Sequence, residues 1–283
     1  MDATSLDALR REIDRIDDGL HDLLMRRTEI VAAIRAAKSG GVAFRPGREA
    51  QILRRLVARH RGPFPPLTLV RIWREIMGAM VRLQGPFTAA ILADAEGYDA
   101  LVRGEYGAGT PIMTVPSAAR ALGAVHDGTA SVAILPLPGE PMADSAERPW
   151  WAHLLGGDGP RIIARLPFAS LSPQVEALAV AKLEPGETGE DRSFLGFETA
   201  EEVSRTRLIE LVRGAGFAPS SLAAWRDVEG GRLWLHFVEV DGYVAAGDPR
   251  LARLTEAGEA RAVQTLGGYA VPFATACLEA VKP

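Results

Sequence analysis

Apolar residues near the start of the chain recur at Leu6, Leu9, Ile13, Ile16, Leu20 and Leu23, then at Ile30, Ile34 and Ala37. The spacing alternates between three and four, which predicts one amphipathic helix over Leu6–Lys38 with a narrow apolar seam. The series also passes through position 27, which holds Arg27. A guanidinium in a buried stripe is costly unless an anion pairs with it, so Arg27 marks an anion site. Ser5 or Thr4 can cap the start, and Gly40-Gly41 stops the helix. A second helix is predicted from near Gly47 to His60, with Ile52, Leu53, Leu56 and Val57 on one face. A third is predicted from Pro66 to Gln84, carrying Leu69, Ile72, Trp73, Ile76, Met80 and Leu83. Residues 1–85 carry no strand signal.

The pattern changes at Pro86. A strand over 87–95, a helix over 96–107, a strand over 111–115, a helix over 117–128 and a strand over 131–139 give a βαβαβ rhythm and predict a parallel α/β layer. A helical turn at Trp150-Trp151 follows, then strands over 161–168, 175–183 and 192–198. From Thr199 a helix over 201–216, strands over 221–228 and 232–244, a helix over 248–258 and a strand over 260–273 complete a βαββαβ-like module, if 192–198 supplies its first strand.

The 283 residues suffice for two or three domains. No apolar run approaches a membrane span, so no membrane role is expected. The lone Cys277 excludes an internal disulfide framework, suits a reducing cytoplasm and reads as a half-buried small apolar residue. Residues 1–85 hold 16 basic and 10 acidic side chains, whereas the whole chain is net −4. A basic helical region suits nucleic acid or small anions. Its few aromatics give bases little to stack on, which favours the anions.

Arg27 and Lys38 are three turns apart on one helix face, about 16 Å along the axis. Two cations leaning together leave room for one small dianion, with Val31 and Ile34 as an apolar floor. Arg10 lies about 25 Å from Arg27 and is rotated away. If it serves the same ligand, it comes from a second copy of the chain; taken alone, Arg10 and Lys38 also fit a solvated helix face.

Over residues 5–85 the chain resembles the all-helical chorismate mutase family. The resemblance rests on LDALRREIDRIDDGLHDLLMRRTEIVAAIRAAK, RPGREAQILRRL and IWREIMGAMVRLQ. It implies an intertwined homodimer that rearranges chorismate to prephenate with no metal and no cofactor. Arg10 of the partner and Arg27 would clamp the two carboxylates, Lys38 and Gln84 would donate to the breaking ether oxygen, and Glu49 would accept from the ring hydroxyl beside Arg48. Met80 stands where the family often has a small polar residue, and Arg45 where some members have an acid.

AAILADAEGYDALVRGEYG and SAARALGAVHDGTASVAILPLPGE resemble the first lobe of prephenate dehydratase. The second lobe is missing, and Asp191-Arg192-Ser193-Phe194 replaces a Thr-Arg-Phe signature, which implies loss of dehydratase activity. Residues 199–283 resemble an ACT domain through their element order and Val263–Tyr269, although Ala224–Asp227 replaces the family's Glu-Ser-Arg-Pro. The expected architecture is therefore an all-α three-helix domain (1–85), an α/β single-lobe dehydratase-like region (86–198) and an α+β ACT-like domain (199–283). The expected function is chorismate mutase. The alternatives are a bifunctional mutase–dehydratase, or a non-catalytic sensor of an aromatic amino acid effector. Gly104, Gly107 and Gly109 lack the context of a phosphate loop, the five histidines show no ligand spacing, and Trp150-Trp151 reads as core.

Overall fold

The computed structural model describes residues 5–37, 44–139, 148–157, 159–200, 202–227 and 233–279. Three helices come first: α1 (Leu6–Ala37), α2 (Pro46–Arg59) and α3 (Pro66–Gln84). The Ser5 hydroxyl accepts from the Ala8 N–H at 3.2 Å and caps α1. Proline occupies the first turn of both α2 and α3, where its missing N–H has no helical partner to lose. Lys38 and the Gly40-Gly41 stop lie outside the described residues.

The seam of α1 is not the buried stripe that its pattern predicts for a finished core. No residue of α1 is buried, and Leu9, Ile13, Ile16, Leu20 and Leu23 are each more than half exposed. The reason is geometric. The helix reaches α3 near its C-terminal half, where Thr28 Oγ1 meets Met80 Sδ at 3.7 Å and an Arg35 nitrogen donates to the Leu83 carbonyl at 3.1 Å. The rest, within a helix about 48 Å long, projects past its own chain.

The remainder builds one sheet. Its strands are β1 (Ala89–Leu92), β2 (Ile112–Val115), β3 (Val132–Pro136), β4 (Arg161–Leu166), β5 (Ala177–Ala181), β6 (Asp191–Thr199), β7 (Pro219–Asp227), β8 (Leu233–Asp241) and β9 (Ala260–Ala270). Its helices are α4 (Tyr98–Tyr106), α5 (Ala118–His126), α6 (Arg205–Gly214) and α7 (Pro249–Glu256). Among the described residues the order is β2-β1-β3-β5-β4-β9-β6-β8-β7. The β1–β2 and β1–β3 pairs are parallel, as the βαβαβ rhythm predicts, and β5 pairs antiparallel with both β3 and β4. The strands β6 to β9 form an antiparallel βαββαβ set in which β6, the 192–198 strand, is interior.

The two halves of the sheet join where Ile162 of β4 pairs with Gly267 of β9. Gly267 has φ +109°, and a Cβ there would stand 2.1 Å from the Ile162 carbonyl oxygen, so only glycine admits this approach. On one face of the β6–β9 half, Leu195, Phe197, Val238 and Val240 pack against Leu208 and Leu211 of α6 and Leu251 and Leu254 of α7. On the other, Phe194, Phe237 and Trp225 meet Trp150 and Trp151, which are core as their composition suggests. Ala50, Leu53, Val70 and Met77 seat α2 and α3 on Phe168 and Leu278. Cys277 is exposed rather than half-buried, because its short 3-10 turn points Leu278 inward instead. Gly107 ends α4 with φ +92°, a turn and not a phosphate loop.

Candidate active site

Each predicted site residue has a place set by its helix. Arg27 projects from α1 and is half-buried, and its Nη1 is buried with no hydrogen-bond partner among the described residues. Burial pulls the guanidinium below its usual value, while the Glu49 carboxylate pulls the other way. Glu49 comes from the first turn of α2 and is buried. Two elements therefore bring a half-buried cation and a buried acid within electrostatic reach of each other. On α3, Met80 is buried beside Thr28. The Gln84 amide donates to the Met80 carbonyl at 3.0 Å, so its nitrogen is turned onto its own helix.

Other predicted residues are not gathered here. Arg10 is exposed and paired with Asp7 at 3.4 Å, far up α1. Arg48 is exposed, next to Gln51. Val31 is partly buried and Ile34 is 43% exposed. Within one chain the described part of the site is thus Arg27, Glu49, Met80 and Gln84.

Behind Glu49 lies a cluster that the spacing argument missed. Arg74 of α3 donates to Glu49 Oε2 at 3.0 Å through Nη1, and its Nη2 is ion-paired with Glu105 of α4. The other Glu105 oxygen accepts from the Phe168 N–H at 3.2 Å, and the guanidinium lies 5.2 Å from the Phe168 ring centroid. The Arg74 and Glu105 side chains are each 7% exposed. Burial pushes the Glu49 carboxyl up to about 7; Arg74 opposes the rise, Glu105 adds to it and Arg27 opposes it. The signal was in the sequence. Val70, Arg74, Met77 and Gly78 form one buried stripe of α3, and Tyr98, Val102, Glu105 and Tyr106 one of α4. A charge on an apolar stripe, the rule that singles out Arg27, also singles out Arg74 and Glu105.

The dehydratase-like signature position is structurally occupied. Asp191 accepts from the Thr188 and Gly189 N–H groups, Arg192 pairs with Glu239 and Asp241, and the Ser193 hydroxyl donates to the Gly242 carbonyl at 2.9 Å. A groove of about 500 Å³ runs between α2 and the sheet, with Arg48, Gln51, Asp191, Tyr243 and Tyr269 in its wall. Among the described residues no His, Cys, Asp and Glu group could hold a metal ion, and no helix is long and apolar enough to cross a membrane.

An 83-residue segment is 36% identical to the bifunctional chorismate mutase/prephenate dehydratase of Neisseria gonorrhoeae, covering 29% of this chain and 23% of that one. A 98-residue segment is 31% identical to the protein of the same name from Stutzerimonas stutzeri, covering 32% and 27%. The chain thus spans about a quarter of the length of these curated relatives. Among solved structures, GqqA, described as a novel type of quorum quenching acylase, aligns with a TM-score of 0.46 and 17% identity over 66% of this chain and 95% of its own. Prephenate dehydratase from Arthrobacter aurescens in complex with L-Phe aligns with a TM-score of 0.46 and 16% identity over 69% and 92%. Arg27, Glu49 and Gln84 all lie within residues 9–85, the segment that matches the family model Chorismate mutase type II.

Proposed function

We propose that this chain is a chorismate mutase, with residues 1–85 as the catalytic domain, 86–198 as a dehydratase-like region that has lost its activity and 199–283 as an ACT-like module. The observation that carries this reading is the buried, unpartnered Nη1 of Arg27 facing Glu49 inside the segment matched by the mutase family. A buried cationic donor is stable only when an anion answers it, and chorismate brings two carboxylates.

The rearrangement is pericyclic, so the protein need only hold the folded conformer and stabilise charge on the breaking ether oxygen. Arg27 and Arg10 of a second copy would each grip a carboxylate; a guanidinium fork suits that geometry better than an ammonium. Lys38 and Gln84 would donate to the ether oxygen, which requires the Gln84 amide to turn away from the Met80 carbonyl. Glu49 would accept from the ring hydroxyl, with Arg48 beside it.

α1 calls for a second copy of the chain. Its exposed seam is long, continuous and apolar, and such a face in water calls for a partner. A second α1 laid along it would bring Arg10 of one chain toward Arg27 of the other, forming an intertwined homodimer. Loss of dehydratase activity is supported by the engagement of Asp191, Arg192 and Ser193 in turns and ion pairs. Depletion of chorismate by the purified full chain, with no conversion of prephenate to phenylpyruvate, tests both statements; an unchanged chorismate signal would remove the first and phenylpyruvate formation the second.

A second reading rests on the groove beside α2. It offers a cationic Arg48, an acidic Asp191 and two phenol rings, a set that complements an aromatic α-amino acid. Calorimetry with phenylalanine and tyrosine tests whether the ACT-like module is a sensor.

A further inference from the structure

We propose that Arg74 and Glu105 are positioning residues for Glu49, an ion-pair relay through which α4 and the Phe168 backbone fix the carboxylate that meets the substrate. This inference rests on the mutase reading and deepens it. Two cavities touch the relay residues, and neither is lined by Arg27 or any other described residue of α1. The one they share with Glu49 is about 20 Å³, room for about one water, with Phe44, Arg165 and Phe168 in its wall. The other, about 330 Å³, lies between α3, α4 and Pro167 and does not reach Glu49. Both outer nitrogens of Arg74 are committed, one to each carboxylate.

The arrangement is more than a stitch between the helices and the sheet. Two carboxylates share one guanidinium, so the cluster carries an excess negative charge in a buried place, which is expensive by itself. Arg27, within electrostatic reach of Glu49, opposes that excess. Glu49 is faced by Arg27 of α1, by Arg74 of α3, by Glu105 and the phenol of Tyr106 on α4, and across the small cavity by Arg165 of β4. Its carboxyl therefore stands at about 7, where a modest change in one neighbour alters the fraction able to accept a hydrogen bond. Glu105, in the sheet-bearing part of the chain, is such a neighbour. It draws on the Arg74 charge that Glu49 would otherwise have to itself.

The test is kcat/KM for chorismate against pH in the full chain, for the wild type, Glu105→Gln and Arg74→Lys, each checked for folding by circular dichroism. That ratio reports ionisations of the free enzyme. The wild type should lose activity as pH falls through about 7. Glu105→Gln removes a like charge and leaves Arg74 wholly to Glu49, so the acid limb should move down by about one pH unit. Arg74→Lys keeps the charge but cannot span both carboxylates, so the limb should move up. A structural stitch would lower the melting temperature in both variants and leave the limb where it was; that result, in whichever variant folds, overturns the relay while leaving the mutase reading intact. A wild type that does not consume chorismate overturns both.

Discussion

Gly78 of α3 lies directly against the carbonyl oxygen of Tyr106 at the end of α4, so close that a Cβ on Gly78 would stand 2.0 Å from it. The same oxygen accepts from Arg82 at 3.0 Å and from the Thr110 hydroxyl at 2.8 Å. Arg74 precedes Gly78 by one turn and Glu105 precedes Tyr106 by one residue, so this contact sets the approach that lets the Arg74–Glu105 pair form. Alanine in a helix interior normally stabilises by about 1 kcal/mol over glycine. Here Gly78→Ala should instead destabilise by about 1–3 kcal/mol, because backbone must move to admit the methyl. Urea unfolding monitored at tryptophan reads the sign.

Arg27→Ala should lower kcat/KM for chorismate at least about a hundredfold, the scale of removing one arm of a buried charge-assisted contact. The helix content should stay unchanged, because Arg27 contributes no partnered contact to the fold through Nη1. Arg27→Lys should recover little, since an ammonium cannot reproduce the fork. Full activity in Arg27→Ala would remove Arg27 from the site.

Arg10 provides a test of the second copy that needs no structure. If each site takes Arg10 from one chain and Arg27 from the other, Arg10→Ala and Arg27→Ala are each inactive alone. Mixed in equal amounts with exchange of chains, they restore one intact site in half of the dimers, about a quarter of wild-type activity. A mixture as inactive as its parts would show that Arg10 does not cross.

Two buried groups give stability a pH dependence of opposite sign. His236 is buried against the Thr199 hydroxyl at 3.0 Å, and burial pulls it down to about 4. Its unfolded value is about 6.5, so the unfolded chain binds the extra proton, and stability is lost as pH falls from about 6.5 to 4, by about 3 kcal/mol in all. Glu49 works the other way. Its folded value of about 7 lies above the unfolded carboxylate range, so the native state binds the extra proton and gains stability as pH falls from about 7 to about 4.5. Urea midpoints at pH 7.5 and 5 should therefore fall less in His236→Gln than in the wild type and more in Glu49→Gln. Equal pH slopes in all three proteins would contradict both assignments.

Much of this fold was legible from spacing. The bounds of α2 and α3 follow from prolines that open them and from the apolar stripes that seat them, and Gly85-Pro86 marks the passage to the sheet. The exposure of the α1 seam in the single chain was not legible, because a pattern of apolar residues marks a face to be covered without stating by which molecule. The charged cluster escaped for a different reason. Arg74 and Glu105 belong to stripes 31 residues apart in sequence, and no local period links α3 to α4. Their partnership depends on Gly78, whose missing side chain leaves no mark on a hydrophobic pattern. Arg27 was legible because the residues flanking it on its seam are all apolar.

The single sheet decides how the chain can be divided. β6 lies between β9 and β8, and both of those strands arrive after it in the chain. A break after residue 198 would strip β6 of both neighbours and open β4 along the edge that β9 covers, leaving three raw edges ready to pair with other chains. A break at Gly85 severs no strand pairing. Recombination that gains, loses or exchanges parts of this protein can therefore move everything from Phe87 onward only as one piece.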